Sequence, residues 1–209
     1  MEIEIIKTKE ELRKLYKPVM GLGLKKQMNK LDKHSIQFLN LSPFLILSTS
    51  NNYGHMDCSP RGDYPGFVGV LDDYTIVIPD RPGNNRLDTL SNIIEKPNVG
   101  VLLLVPGFDE CLRINGSAII ATNIELLQRF EYRGRLPKSV IVISIKELYF
   151  HCAKAITRAN LWKDEFNVDR NIMPSFGRIL MNQIDSSTTD EEIKEVENII
   201  ENRVKTTLY

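Results

Sequence analysis

The sequence predicts a mainly antiparallel β fold with flanking helices (α+β), on three observations. Short apolar, β-prone runs follow one another closely between residues 44 and 150. Turn residues separate successive runs: Asn51-Asn52-Tyr53-Gly54, Asp72-Asp73 and Pro106-Gly107-Phe108. Only one helical stretch, about residues 85–95, interrupts the series. Parallel βαβ units need a crossover after every strand, so this spacing points to an antiparallel meander or barrel.

Taken in order, Thr8-Lys9-Glu10-Glu11 reads as a capping box opening a short helix that Pro18 stops. A second helix is predicted over about 22–39, where Leu24, Met28, Leu31, Ile36 and Leu39 recur near helical spacing. Residues 44–50 predict a strand, and 55–59 return across the Asn51–Gly54 turn as a β-hairpin. Further strands are expected over 67–71, 74–78, 99–105, 111–121 and 139–150. Residues 163–188 are poorly patterned. Thr189-Asp190-Glu191-Glu192 is a second capping box, and Ile193, Val196, Ile199, Ile200 and Val204 form an apolar stripe on the charged helix behind it. The chain thus divides into a helical segment (1–40), a β core (41–162) and a helical extension (163–209).

Composition sets the class. With 42% apolar and 26% charged residues, the chain has the make-up of an ordinary globular protein. Its 27 basic residues balance 27 acidic ones, so no global field draws it to nucleic acid or an anionic membrane; neither is expected as a partner. Three cysteines, an odd number without Cys-x-x-Cys spacing, argue against a disulfide framework. The amino-terminal stretch has no apolar core of a signal peptide, and no run of about 18 apolar residues occurs. A cytoplasmic location is expected.

Three patches could carry chemistry. Pro79-Asp80-Arg81-Pro82-Gly83-Asn84-Asn85-Arg86-Leu87-Asp88 leaves a strand and enters a helix. A helix amino terminus offers unpaired N–H groups, and guanidinium forks suit phosphate, so this loop is either a phosphate cradle or a capped helix with two solvated arginines. Asp57-Cys58-Ser59-Pro60-Arg61-Gly62-Asp63 leads into Tyr64-Pro65-Gly66, a rigid loop in which Ser59, Arg61 and Asp63 could contact a ligand; a plain surface connection is the alternative. Arg113 and Asn115 share one strand face, where Arg113 could meet a ligand phosphate from inside a small barrel or form a cross-strand salt bridge. Trp162, the only tryptophan, could stack on a planar ligand or fill core volume. His34, His55 and His151 give no metal-site spacing, and no metal is expected.

With Ser42-Pro43-Phe44, Pro65-Gly66-Phe67-Val68, Val105-Pro106-Gly107, Leu112-Arg113-Ile114-Asn115-Gly116 and Phe150-His151-Cys152-Ala153-Lys154-Ala155, these patches form an ordered set over about residues 32–162. That set resembles the pyridoxamine 5′-phosphate oxidase-like, FMN-binding split-barrel flavoproteins. The resemblance implies a six-stranded split β-barrel with flanking helices, working as a homodimer with FMN at the subunit interface. Carried over, Arg61 or Ser59 would grip the phosphate together with Asn85 and Arg86. The backbone of Ile78, Pro79, Asp80 and Arg81 would border the ring, and Trp162 would approach it from the other subunit. The sequence departs from the vitamin B6 oxidase: Arg86 lies 11 positions before Pro97, further than the oxidase places its lysine, and the Arg-x-His element that reads pyridoxal is missing. The implied function is therefore an FMN-dependent oxidoreductase on an unknown small molecule, or else a non-catalytic flavin-binding protein. Haem handling, with a histidine as axial ligand, is a third reading.

Overall fold

The structure is a computed structural model that describes residues 1–19 and 21–209. Seven strands form one antiparallel sheet: β1 (Phe44–Ser50), β2 (Met56–Gly62), β3 (Gly69–Asp72), β4 (Thr75–Pro79), β5 (Asn98–Leu104), β6 (Cys111–Ala121) and β7 (Val140–His151). Their order is β2-β1-β5-β6-β7-β4-β3. Among the described residues this is one strand more than the six that the resemblance implies.

Alternation along the strands builds the core. In β1 and β5 every second residue is buried, as expected where one face is packed and the other is not. The register aligns Leu47, Val101, Ile114 and Leu148 in one buried row across four strands. β4 is buried on both faces: Ile76 and Ile78 join this core, while Val77 packs with Leu127 and Phe130 on the far side. Fully burying each such side chain contributes roughly 1.5–3 kcal/mol.

The sheet curls into a barrel. β2 and β4 stand first and sixth in the strand order, yet Arg61 at the end of β2 lies 2.9 Å from Asp80 just beyond β4. The register between β6 and β7 shifts between Asn115 and Gly116, which pair with Glu147 and Ile145 and leave Lys146 as the extra, bulged residue of β7. There a Cβ on Gly116 would collide with the Ser144 carbonyl oxygen, so only glycine lets β7 approach.

The α-helices accompanying the sheet are α1 (Lys9–Lys14), α2 (Gly21–Lys25), α3 (Lys33–Leu41), α4 (Asp88–Glu95), α5 (Ile124–Gln128), α6 (Lys154–Ala159), α7 (Phe176–Ile184) and α8 (Asp190–Thr206). Both capping boxes, at Thr8 and Thr189, form. α3 sends Phe38 and Leu39 into the core, and buried Ser42 at its end donates to the Phe44 and Leu104 carbonyls, which docks the helix on β1 and β5.

Three helix expectations are corrected. The strand series is interrupted by two helices rather than one, since α5 lies between β6 and β7 as well as α4 between β4 and β5. The single helix expected over 22–39 is two, α2 and α3. Between them the Met28 backbone exchanges hydrogen bonds with Leu148 of β7, and an Asp32–Ser35 capping box starts a new helix. Sheet pairing and a strong N-cap outweigh the 3.6-residue spacing of Met28 and Leu31. The helix expected from Asn85 begins at Asp88, because Asn85 and Leu87 hold φ values of 59° and 62°, outside the right-handed helical region.

Candidate functional site

The candidate site lies where the sheet's two ends meet. β2 alternates strictly: Met56, Cys58 and Pro60 are exposed, while Asp57, Ser59 and Arg61 turn toward the seam and are half-buried. Arg61 Nη1 donates to Asp80 Oδ1. Two residues further on, the signs reverse: Arg81 Nε donates to Asp63 Oδ2 over 2.6 Å. These crossed ion pairs pin the exit of β2 to the exit of β4. Arg81 also donates through Nη1 to the Phe130 carbonyl.

The pairs differ in how fully they are satisfied. The Asp63 side chain is 2% exposed, and its oxygens accept from Arg81, the Tyr64 amide and the Tyr209 hydroxyl. Arg61 Nε, by contrast, is buried without a hydrogen-bond partner among the described residues. An unpartnered buried donor on a charged group costs about 1–3 kcal/mol or more, so an acceptor arriving here would recover that cost.

Four residues earlier on β2, Asp57 Oδ2 accepts from the Thr89 hydroxyl of α4 at 2.5 Å, and Asn92 of α4 donates to Thr49 of β1 at 3.0 Å. This buried polar network fixes α4 against the β1–β2 hairpin, and with it the loop that enters α4. Asn85 tolerates the left-handed conformation; Leu87 does not, at a cost of about 1–2 kcal/mol. Strain of this kind concentrates at ligand clamps. Between them Arg86 is exposed. Its amide donates to Asn84 and its Nε to Asp88, and the bond to Asp88 followed by that carboxylate's charge raises its pKa. Leu87 gives α4 no side-chain cap, so the first-turn N–H groups have no side-chain acceptor at the N-cap.

Of the residues singled out in the sequence, the structure brings together Ser59, Arg61 and Asp63 of the β2 exit with Ile78, Pro79, Asp80 and Arg81 of the β4 exit; Asn85 and Arg86 sit on the loop that follows. They lie ahead of α4 rather than in its first turn, so the N–H groups there begin with Asp88. Arg113 does not join them. It lies on the outer sheet face, in one row with Pro60, Ile46 and Leu102, and donates to Glu147 and to the Tyr149 hydroxyl. The cross-strand salt bridge, not the inward-facing arginine, is what forms, because the alternation that buries Leu112 and Ile114 turns Arg113 outward. Trp162 is 37% exposed and donates to the Phe108 carbonyl, so it does not fill the core. The three histidines lie on separate elements: α3, the β1–β2 turn and the end of β7.

Two participants escaped the sequence reading. Asp57 had a signal, since it shares the period-2 face of Ser59 and Arg61. Tyr209 had none: it lies 146 positions from Asp63, and only the tertiary fold joins them.

A family model described as pyridoxamine 5′-phosphate oxidase matches residues 31–152, more than half of the chain. Among solved structures the chain is similar to HupZ of Group A Streptococcus, with TM-score 0.48, 16% identity, and coverage of 57% of this chain and 93% of that one. It is also similar to an FMN-binding protein from Syntrophomonas wolfei (TM-score 0.45, 14% identity, 68% and 96% covered). General Stress Protein 26 from Bacillus anthracis is another (TM-score 0.42, 18% identity, 56% and 93% covered). No curated protein matches the chain in sequence.

Proposed function

The chain belongs to the pyridoxamine 5′-phosphate oxidase family, and from that premise we propose that it binds FMN at the seam between β2 and β4. The observation that carries this reading is the buried Nε of Arg61, which has no hydrogen-bond partner among the described residues, on a side chain whose Nη1 pairs with Asp80 at the start of the loop that precedes α4. A phosphate oxygen is the acceptor such a nitrogen lacks. Ser59 and Arg61 would hold the phosphate from β2, and Asn85 and Arg86 from the loop. The backbone of Ile78 to Arg81 would border the ring, and Arg81, held by Asp63, would set a positive charge beside it. Bound FMN supplies redox chemistry that side chains lack.

The assembly we propose is a cytoplasmic homodimer. The outer sheet face leaves Phe44, Ile46, Leu102 and Leu104 only partly covered, a patch suited to a second copy. Arg113 and Trp162 would meet the flavin only across that interface. Among the described residues no helix is long and apolar enough to cross a membrane.

The reaction we favour is FMN-dependent oxidoreduction of a small molecule. One observation favours instead a flavin binder without turnover: the carboxylates around the seam are engaged, Asp80 by Arg61, Asp63 by Arg81, Asp88 by Arg86 and Asp57 by Thr89. Stopped-flow mixing of the FMN complex with NADH and NADPH separates the two. Reduction at a catalytic rate supports the oxidoreductase, and a flavin that stays oxidised supports the binder. A protein that takes up no FMN overturns both.

A further inference from the structure

Tyr209 is held at the edge of the seam from three sides. Its hydroxyl donates to Asp63 Oδ1 at 2.8 Å. Its ring lies 4.4 Å from that of Tyr132, centroid to centroid, and 5.7 Å from the Arg81 guanidinium. Its carbonyl accepts from Arg135. Tyr132 and Arg135 are the ends of a tight turn whose central residues, Arg133 and Gly134, have φ values of 50° and 73°. Two positive φ values in succession are the signature of a type I′ turn, which glycine adopts freely and arginine only under strain. The turn presents both the ring and the guanidinium that receive Tyr209.

The carboxylate that Tyr209 meets is the partner of Arg81. Asp63 is almost fully buried, so its charge is shared among its protein donors and little water competes. Each donor that takes up part of that charge leaves Arg81 less neutralised. Burial, then the hydrogen bond to Asp63 and its negative charge, push the Tyr209 phenol up to about 12, so it remains a donor throughout the neutral range.

We propose that Tyr209 is a positioning residue of the flavin site, acting through Asp63 to orient the Arg81 guanidinium and to leave its charge available to the ring. The proposal rests on the FMN reading. Without the phenol hydroxyl, Asp63 binds Arg81 more strongly, and a reduced, anionic ring beside Arg81 loses stabilisation.

The test compares wild type, Tyr209→Phe and Tyr209→Ala, each loaded with FMN. At a fixed potential in a dye-coupled titration, the ratio of reduced to oxidised flavin falls about threefold or more in Tyr209→Phe, a part of what a hydrogen bond to a charged group is worth. FMN affinity changes less than that ratio does. A purely structural role for Tyr209 would weaken FMN binding in Tyr209→Ala and leave the ratio in Tyr209→Phe at the wild-type value; that result overturns the proposal. Ultraviolet titration of flavin-free protein reads the Asp63 contact independently: the high-pH tyrosine ionisation, to which Tyr209 contributes at about 12 beside a raised Tyr132, is smaller by one tyrosine in Tyr209→Phe. An unchanged high-pH tyrosine ionisation in Tyr209→Phe also overturns it. Failure of the wild type to bind FMN, with the high-pH tyrosine present, marks the FMN reading itself as wrong.

Discussion

Replacing Arg61 by methionine removes the cation of one crossed ion pair while keeping most of the side-chain volume. The N···O distance is 2.9 Å, and about a fifth of each side chain is exposed (20% and 18%). An exposed pair contributes about 0–1 kcal/mol, whereas stripping one partner from a fully buried pair costs about 3–5 kcal/mol. Arg61→Met strands Asp80 in an intermediate setting, so we expect a cost of about 2–3 kcal/mol. Wild-type Arg61 already carries the cost of an Nε that has no partner among the described residues. The double variant Arg61→Met/Asp80→Asn removes that cost along with the stranded carboxylate, and should recover all but about 1 kcal/mol. Urea unfolding of flavin-free protein, read by far-ultraviolet circular dichroism, gives both values. The double variant should nevertheless bind FMN roughly 10- to 100-fold more weakly, because a charge-assisted bond to the phosphate is gone. A double variant that is no more stable than Arg61→Met, or that binds FMN like wild type, would refute the reasoning.

Arg86→Ala is expected to weaken FMN binding by about 1.5–3 kcal/mol in a fluorescence titration while leaving urea stability within about 0.5 kcal/mol of wild type, since the side chain is exposed. Gly116→Ala drives a methyl into the Ser144 carbonyl opposite the β7 bulge and should cost at least about 3 kcal/mol on the same urea curve, or prevent folding. The His151 pKa is lowered by burial first, then by the Lys26 and Arg113 charges. The unfolded chain therefore takes up that proton at higher pH than the native one, so the stability tied to neutral His151 is complete above about pH 6.5. It is lost as pH falls through the lowered native value. His151→Gln should flatten that part of the stability profile between pH 7 and 5; an unchanged slope would mean that other groups carry it.

What could be read from the sequence depended on how local its cause was. β6 was legible residue for residue, because Leu112, Ile114 and Ala118 alternate with polar positions and turns bound the strand at both ends. The two capping boxes were legible for the same reason: Thr8 with Glu11, and Thr189 with Glu192, need only four residues. The break between α2 and α3 was not, since Met28 is claimed by a strand 120 positions away. Nor was the late start of α4, where propensity favours helix through Arg86 and the strained backbone of Leu87 forbids it. At the candidate site, the patches around Arg61 and Arg81 stood out through their charges and turn residues. Their pairing did not, because it follows from closure of the barrel. Arg113 could be placed on a face but not on the outer one, a choice that depends on which neighbours form the core.

If Arg61 and Arg86 hold the phosphate of the flavin, riboflavin, which lacks only that phosphate, is the direct comparison. In parallel fluorescence titrations of the purified protein, FMN should saturate at one per chain and bind at least about tenfold more tightly than riboflavin, the effect of one charge-assisted contact. Equal affinity for the two, or no saturable binding of FMN, would contradict that role for the two arginines.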